Sequence, residues 1–231
     1  MTLSIPKGFL KFSGWALLIG GLLGVIGQLI HSGSDTPESL EVIPAFLDKA
    51  VNIHVLLAWS SIFILMGMPA MYLRQAGKLK WWGWIGFPLL FVGMILEIFH
   101  GPVQIMAYPI IYSDLATNAE TLAIVNKHVN ELMTDQYPLS LLVLIPLMPG
   151  LFLGLLLTGI GTLRAGAMPK AAGWFTIGIF ALLVAGMFLP ASIPFFAAIH
   201  LVFVLFGALL AFGGNFASLD ADSSASTSSA A

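Results

Sequence analysis

The chain has 231 residues, of which 58% are hydrophobic and 9% are charged, and its mean hydropathy is +0.97. A soluble domain carries about 25% charged residues, so the composition excludes a soluble globular protein and indicates an integral membrane protein. The formal net charge is −2 and cysteine is absent, which excludes disulfides, thiolate ligands and thiol catalysis. No phosphate-binding, dinucleotide-binding or nucleic-acid-binding motif occurs.

Apolar segments of membrane-spanning length predict six transmembrane helices, in chain order about 9–31, 51–72, 81–100, 137–163, 174–189 and 195–216. The polar segment 113–136 contains apolar residues at helical spacing, which predicts a short amphipathic surface helix. Residues 103–112 form either a kinked extension of the third helix or a segment in the membrane interface. Pro102 and Pro109 argue against one straight helix.

The cations are divided unequally between the two sides of this topology. Seven of the nine lysines and arginines share one side, namely Lys7, Lys11, Arg74, Lys78, Lys80, Arg164 and Lys170, whereas Lys49 and Lys127 lie on the other. Because cations concentrate on the cytoplasmic side, both termini are predicted in the cytoplasm. Residues 1–216 are predicted as one six-helix transmembrane domain, and the Ser- and Ala-rich stretch 217–231 as a disordered cytoplasmic tail.

An internal repeat is visible in the odd-numbered predicted helices. Three stretches of equal length begin with Gly-Trp, at 14–31, 83–100 and 173–190. This pattern predicts an all-α fold of three helical hairpins with the same membrane orientation, that is, parallel repeats. The alternative is that Gly-Trp at a helix start and glycine inside spanning helices are common on their own.

Four histidines fall near the predicted external ends of spanning helices, and counting from the cytoplasmic boundary predicts one shared depth for them: His31, His54, His100 and His200. Glu97 lies three residues before His100, which places both side chains on one helical face. An ionisable residue inside a spanning helix is costly and usually faces other helices or a cavity. Glu97 is therefore the leading functional candidate, whereas His128, in the second polar segment, is interpreted as a solvated surface residue.

Imidazole nitrogens and a carboxylate are ligands for a first-row transition metal such as zinc or iron, and Glu-x-x-His is the spacing used in di-iron bundles. The predicted metal ligands are Glu97, His100, His54, His200 and His31. Alternatively, two facing histidines ligate a haem b, with His54 and His200, or His31 and His100, as the axial pair.

The sequence thus predicts a metal- or haem-binding pocket at the external side of the bundle, serving redox chemistry or ligand sensing. The second hypothesis is a non-enzymatic membrane protein that binds a lipid or a partner subunit, in which the histidines are interfacial residues. A third is transport driven by protonation of Glu97. Whether the chain is an enzyme stays open. The expected partners are the lipid bilayer and a partner membrane subunit or a second copy of the chain, and no nucleic acid.

Two loops carry a resemblance to known sequences. Residues 72–77 read YLRQAG, and residues 164–174 read RAGAMPKAAGW. These loops resemble those of a loose group of bacterial integral membrane proteins with a RAGxxP[RK]xxGW-type loop. The resemblance implies a six-helix fold in the bacterial cytoplasmic membrane, and it implies no activity.

Overall fold

The computed structural model describes residues 5–31, 36–131, 141–188 and 194–213, and all regular structure among them is helical. The predicted all-α class is therefore confirmed. The α-helices are α1 Lys7–His31, α2 Ile43–Leu73, α3 Trp81–Pro102, α4 Ala119–Glu131, α5 Leu141–Ala165, α6 Lys170–Gly186 and α7 Ala197–Phe212. The predicted tail, 217–231, lies outside the described residues.

Four helical segments are long and apolar enough to cross a membrane: Lys7–His31, Leu40–Leu73, Trp81–Leu115 and Ile145–Ala165. They indicate an integral membrane protein. The last two helices, α6 and α7, are also apolar but have only 17 and 16 residues, fewer than the ~20 that a straight crossing takes. Six crossings and three hairpin repeats therefore stay predictions.

Six of the helices form a ring, and α4 lies outside it. Each helix packs along the next in the order α1, α2, α3, α5, α6 and α7, and α7 packs along α1. Neighbours run antiparallel, as two contacts illustrate. The Trp15 ring of α1 lies 5.1 Å from Phe212 at the end of α7, and Tyr72 at the end of α2 stacks at 4.4 Å on Phe87 of α3. The start of α1 and the end of α7 therefore lie at the same end of the bundle.

The seven cations of the predicted cytoplasmic side occupy the helix ends and loops at that end, which we call the basic end. The Arg164 guanidinium at the end of α5 lies 5.4 Å from the Trp82 ring at the start of α3. At the opposite end lie the last turn of α1 and the second and third turns of α2. We call it the histidine end. Which side of the membrane each end faces stays a prediction.

Glycines allow the helices to approach closely. On α1 the large apolar side chains Trp15, Ile19 and Leu22 are exposed on the outer surface, whereas the buried face contains Gly20 and Gly24. The Ser60 hydroxyl of α2 donates a 2.7 Å hydrogen bond to the Gly20 carbonyl. Small residues inside and apolar residues outside are typical of helices that pack in lipid.

The chain after α3 continues as a helix rather than turning away. Residues Val103–Ala107 and Ile111–Leu115 form π-type turns on either side of a short α-helical turn, Tyr108–Ile110. Of the two interpretations of 103–112, the structure favours the extension of α3. Wider π-type turns leave some backbone carbonyls outside the regular ladder, which accommodates Pro109, a residue without an N–H.

A second, smaller core lies at the histidine end, where α4 packs against the extension of α3 and the start of α2. It contains Ile43, Tyr112, Ala116, Leu122, Val125 and Val129. The Tyr112 hydroxyl donates to Asn126 Oδ1 at 3.0 Å, and Asn126 Nδ2 donates to the Pro37 carbonyl at 2.8 Å. The predicted amphipathic helix therefore exists as α4, and its apolar face is buried against protein.

Candidate functional site

The first pair of candidate side chains lies at the histidine end. His31, at the end of α1, and His54, on α2, place their Nε2 atoms 3.3 Å apart. Their rings meet edge to face, with centroids separated by 5.0 Å and planes inclined at 78°. His54 is buried, and His31 is partly exposed. We call these two residues the His31–His54 pair.

The backbone of α2 orients one ring of this pair. His54 Nδ1 lies 2.7 Å from the carbonyl oxygen of Ala50, one turn earlier in α2. Because a carbonyl can only accept, Nδ1 carries the proton, and in the neutral ring Nε2, 3.3 Å from His31 Nε2, then holds a lone pair. An Nδ1–H bonded to a backbone carbonyl is also the usual outer contact of a metal-ligating histidine.

The separation of the two Nε2 atoms suits a tetrahedral metal ion. With metal–nitrogen bonds of about 2.0–2.1 Å, two imidazole ligands of a tetrahedral zinc ion lie about 3.3–3.4 Å apart. The described residues contain no cluster of three or more histidine, aspartate or glutamate side chains around this point. His100 falls within α3, but its side chain lies outside the part of the chain that the structure describes. The backbone at the next residue, Gly101, runs beside α2, with a position for Cβ 3.8 Å from the His54 carbonyl oxygen.

The second pair lies deeper in the bundle. His200 Nε2 of α7 is 4.0 Å from Glu97 Oε1 of α3, and the Ser61 hydroxyl of α2 donates to Glu97 Oε2 at 3.4 Å. The His200 side chain is 2% exposed and that of Glu97 20% exposed. Within the described residues neither ring nitrogen of His200 has a hydrogen-bond partner. We call Glu97 and His200 the Glu97–His200 pair.

Gly24 of α1 makes room for the second pair. A Cβ atom at this position would overlap the His200 ring. The imidazole therefore packs against α1 at Gly24, between α1 and the carboxylate of α3. The Glu97–His200 pair thus depends on a glycine of α1, a helix that contributes no side chain to it.

The two pairs lie at different depths. On α1, His31 meets His54 whereas Gly24 meets His200, and these α1 positions are seven residues, or about 10 Å, apart. The prediction of one shared depth is therefore wrong for His200. The reason is that α6 and α7 are shorter than α1 and α2, so the start of α7 lies further inside the bundle.

This difference in depth bears on the predicted haem. Axial nitrogens on the two faces of a haem are about 4 Å apart, with the porphyrin between them. The His31 and His54 rings contact each other directly, so they leave no room for a porphyrin. His54 and His200 lie at separate levels of the bundle. The alternative axial pair of His31 and His100 involves a side chain outside the described residues.

Sequence reasoning missed Ser61 as a partner of Glu97. The signal that was present is its spacing, since Ser61 follows His54 by seven residues and so lies on the same face of α2. His128, on α4, is exposed, as predicted for a surface residue.

No protein-family model matches the chain, and no curated protein or solved structure matches it either. The interpretation of the site therefore depends on its own geometry.

Proposed function

We propose that this membrane protein binds a first-row transition metal ion, of which zinc suits the geometry best, at the histidine end of its helix bundle. His31 and His54 supply two imidazole ligands, and His100 of α3 supplies a third. The observation that supports this best is the 3.3 Å separation of the two Nε2 atoms, together with the Nδ1 contact that orients His54. The ion would then join the end of α1 to α2 and α3.

The proposal includes six membrane crossings as three hairpins, α1–α2, α3–α5 and α6–α7, with the basic end in the cytoplasm. The antiparallel order of the ring and the concentration of cations at one end support it. The metal site would then face the external side. A site that joins three helices is suited to reversible ligand sensing, because occupancy changes how firmly those helices are held together.

Metal analysis and an absorption spectrum of the protein purified in mild detergent test this proposal. After equilibration with zinc and removal of loosely bound ions, we expect about one zinc per chain and no Soret band. A Soret band in the protein as isolated would show that the cofactor is a haem and not a metal ion bound directly by the histidines. A colourless, metal-free protein would contradict the proposal and favour the lipid- or partner-binding alternative, with the histidines as boundary residues.

A second candidate function is favoured by the Glu97–His200 pair. An acid and an imidazole 4.0 Å apart inside a bundle, with Ser61 on the carboxylate, form a site at which a proton can be held. Among the described residues, His200 is the titratable group placed against Glu97. Reversible protonation there would serve proton-driven transport.

We expect pH-difference infrared spectra of the protein to show the band of a protonated carboxyl group that titrates reversibly and is lost in Glu97→Gln. The control is Glu120→Gln, which changes an exposed carboxylate in the first turn of α4 and should leave that band unchanged. A spectrum of Glu97→Gln identical to that of the wild type would rule out this role for Glu97.

A further inference from the structure

A small cavity lies at the basic end, between α2, α3 and α5 and far from both histidine-containing pairs. Its volume is about 10 Å³, which is enough to hold about one water molecule. Gln75, just after α2, and Thr158 and Thr162 on α5 form its polar wall, and Met71 and Phe87 contribute to the apolar wall. The two threonines are four residues apart and therefore lie on one face of α5.

The polar wall has three atoms without partners. Gln75 Oε1, Thr158 Oγ1 and Thr162 Oγ1 are buried, and none of them has a hydrogen-bond partner within the described residues. The three side chains are 3%, 6% and 1% exposed. The Gln75 amide is held by its nitrogen, which donates to the Met71 carbonyl at 3.1 Å.

Another buried threonine in the same bundle shows the contrast. The Thr176 hydroxyl of α6 donates at 2.8 Å to the Ala172 carbonyl, one turn earlier in its own helix. Thr158 and Thr162 make no such bond. A buried polar group without a partner is costly, so three such atoms in side chains that line one cavity indicate a polar occupant.

The chemistry of the wall selects the occupant. A water molecule accepts hydrogen bonds from both threonine hydroxyls and donates one to Gln75 Oε1, and three bonds is the usual number for a buried water. A cation would leave both hydroxyl hydrogens without acceptors, and among the described residues no carboxylate lines the cavity to balance its charge. We propose that Gln75, Thr158 and Thr162 bind one water molecule that connects α2 to α5.

This water would join helices that otherwise meet only through a third. Both α2 and α5 pack along α3, and they share no comparable interface with each other. The bridge would therefore tie the two sides of α3 together at the basic end.

The thermal midpoint of the detergent-solubilised protein tests this proposal through Thr158→Val, Thr162→Val and Gln75→Leu. Each single substitution leaves the water short of a partner, so we expect the midpoint to fall by about 2–4 °C. The triple variant, whose cavity wall is apolar, needs no water and should melt no lower than the least stable single variant. The matched control is Thr176→Val. Combined with any one of the three substitutions, it should lower the midpoint by the sum of the two separate losses.

Two results would overturn the proposal. A rise of the midpoint in Thr158→Val and Thr162→Val would mean that the cavity is dry, because valine then removes an unsatisfied hydroxyl. Strictly additive losses would mean that each hydroxyl bonds within its own helix. An experimental structure that resolves ordered waters gives the direct readout, since the proposal requires density within about 2.7–3.2 Å of all three oxygens.

Discussion

Replacing His54 with alanine is expected to abolish stoichiometric zinc binding by the purified protein, and replacing His31 is expected to do the same. Each substitution removes one of the two imidazoles that face each other at 3.3 Å. Changing even an outer-shell partner of a metal site costs 10–100-fold in affinity, so loss of a direct ligand should weaken binding by at least about 100-fold. Competition titration against a chromophoric chelator measures the change.

Two controls separate ligation from folding in this experiment. His31 is partly exposed, so His31→Ala removes a ligand without opening a cavity in the buried core. Its thermal midpoint without zinc should fall by only about 2–4 °C, the effect of losing one hydrogen bond. His128→Ala changes a histidine on α4 that belongs to neither pair and should keep wild-type affinity. Wild-type zinc affinity in both His31→Ala and His54→Ala would mean that the pair is only a hydrogen bond between two rings.

Replacing Gly24 with leucine is expected to prevent formation of the native bundle. Even the first carbon of the new side chain would overlap the His200 ring, which is buried between α1 and Glu97. Overpacking a core costs 1–3 kcal/mol and sometimes more. At Gly24 the obstacle is a ring rather than a flexible chain end, so we expect a loss of about 3 kcal/mol or more.

Size-exclusion chromatography and thermal melting of Gly24→Leu in detergent measure this effect. The matched control is Gly178→Leu, because a Cβ at Gly178, on the exposed face of α6, would meet nothing within 4 Å. We expect the control to stay monodisperse with a wild-type midpoint, and Gly24→Leu to aggregate or melt far lower. Equal behaviour of the two variants would contradict the placement of His200 against α1.

Hydropathy and helical spacing could predict most of the fold. The first predicted helix, 9–31, coincides closely with α1, and the spacing of Leu122, Val125 and Val129 predicted α4. The start of α2 was missed because residues 43–50 include Asp48 and Lys49, so their hydropathy is too low for a membrane segment even though the helix continues through them. The sequence does not decide whether residues 103–112 extend α3, because a proline does not always end a helix where π-type turns can form.

The candidate site was predictable only in part. Residue counting placed His31 and His54 at one end of the bundle, but their pairing depends on side-chain rotamers that no sequence pattern encodes. The depth of His200 depends on how short α6 and α7 are, and hydropathy does not define those ends. The cavity wall joins Gln75 to threonines more than 80 residues away, so only the packing of α2, α3 and α5 brings these side chains together.

X-ray absorption spectroscopy at the zinc edge of the zinc-loaded protein tests the central claim most directly. The account predicts two or three imidazole nitrogens at about 2.0–2.1 Å from the metal, with fewer imidazoles in His31→Ala. Zinc surrounded by oxygen alone, or an imidazole count that His31→Ala leaves unchanged, would contradict it.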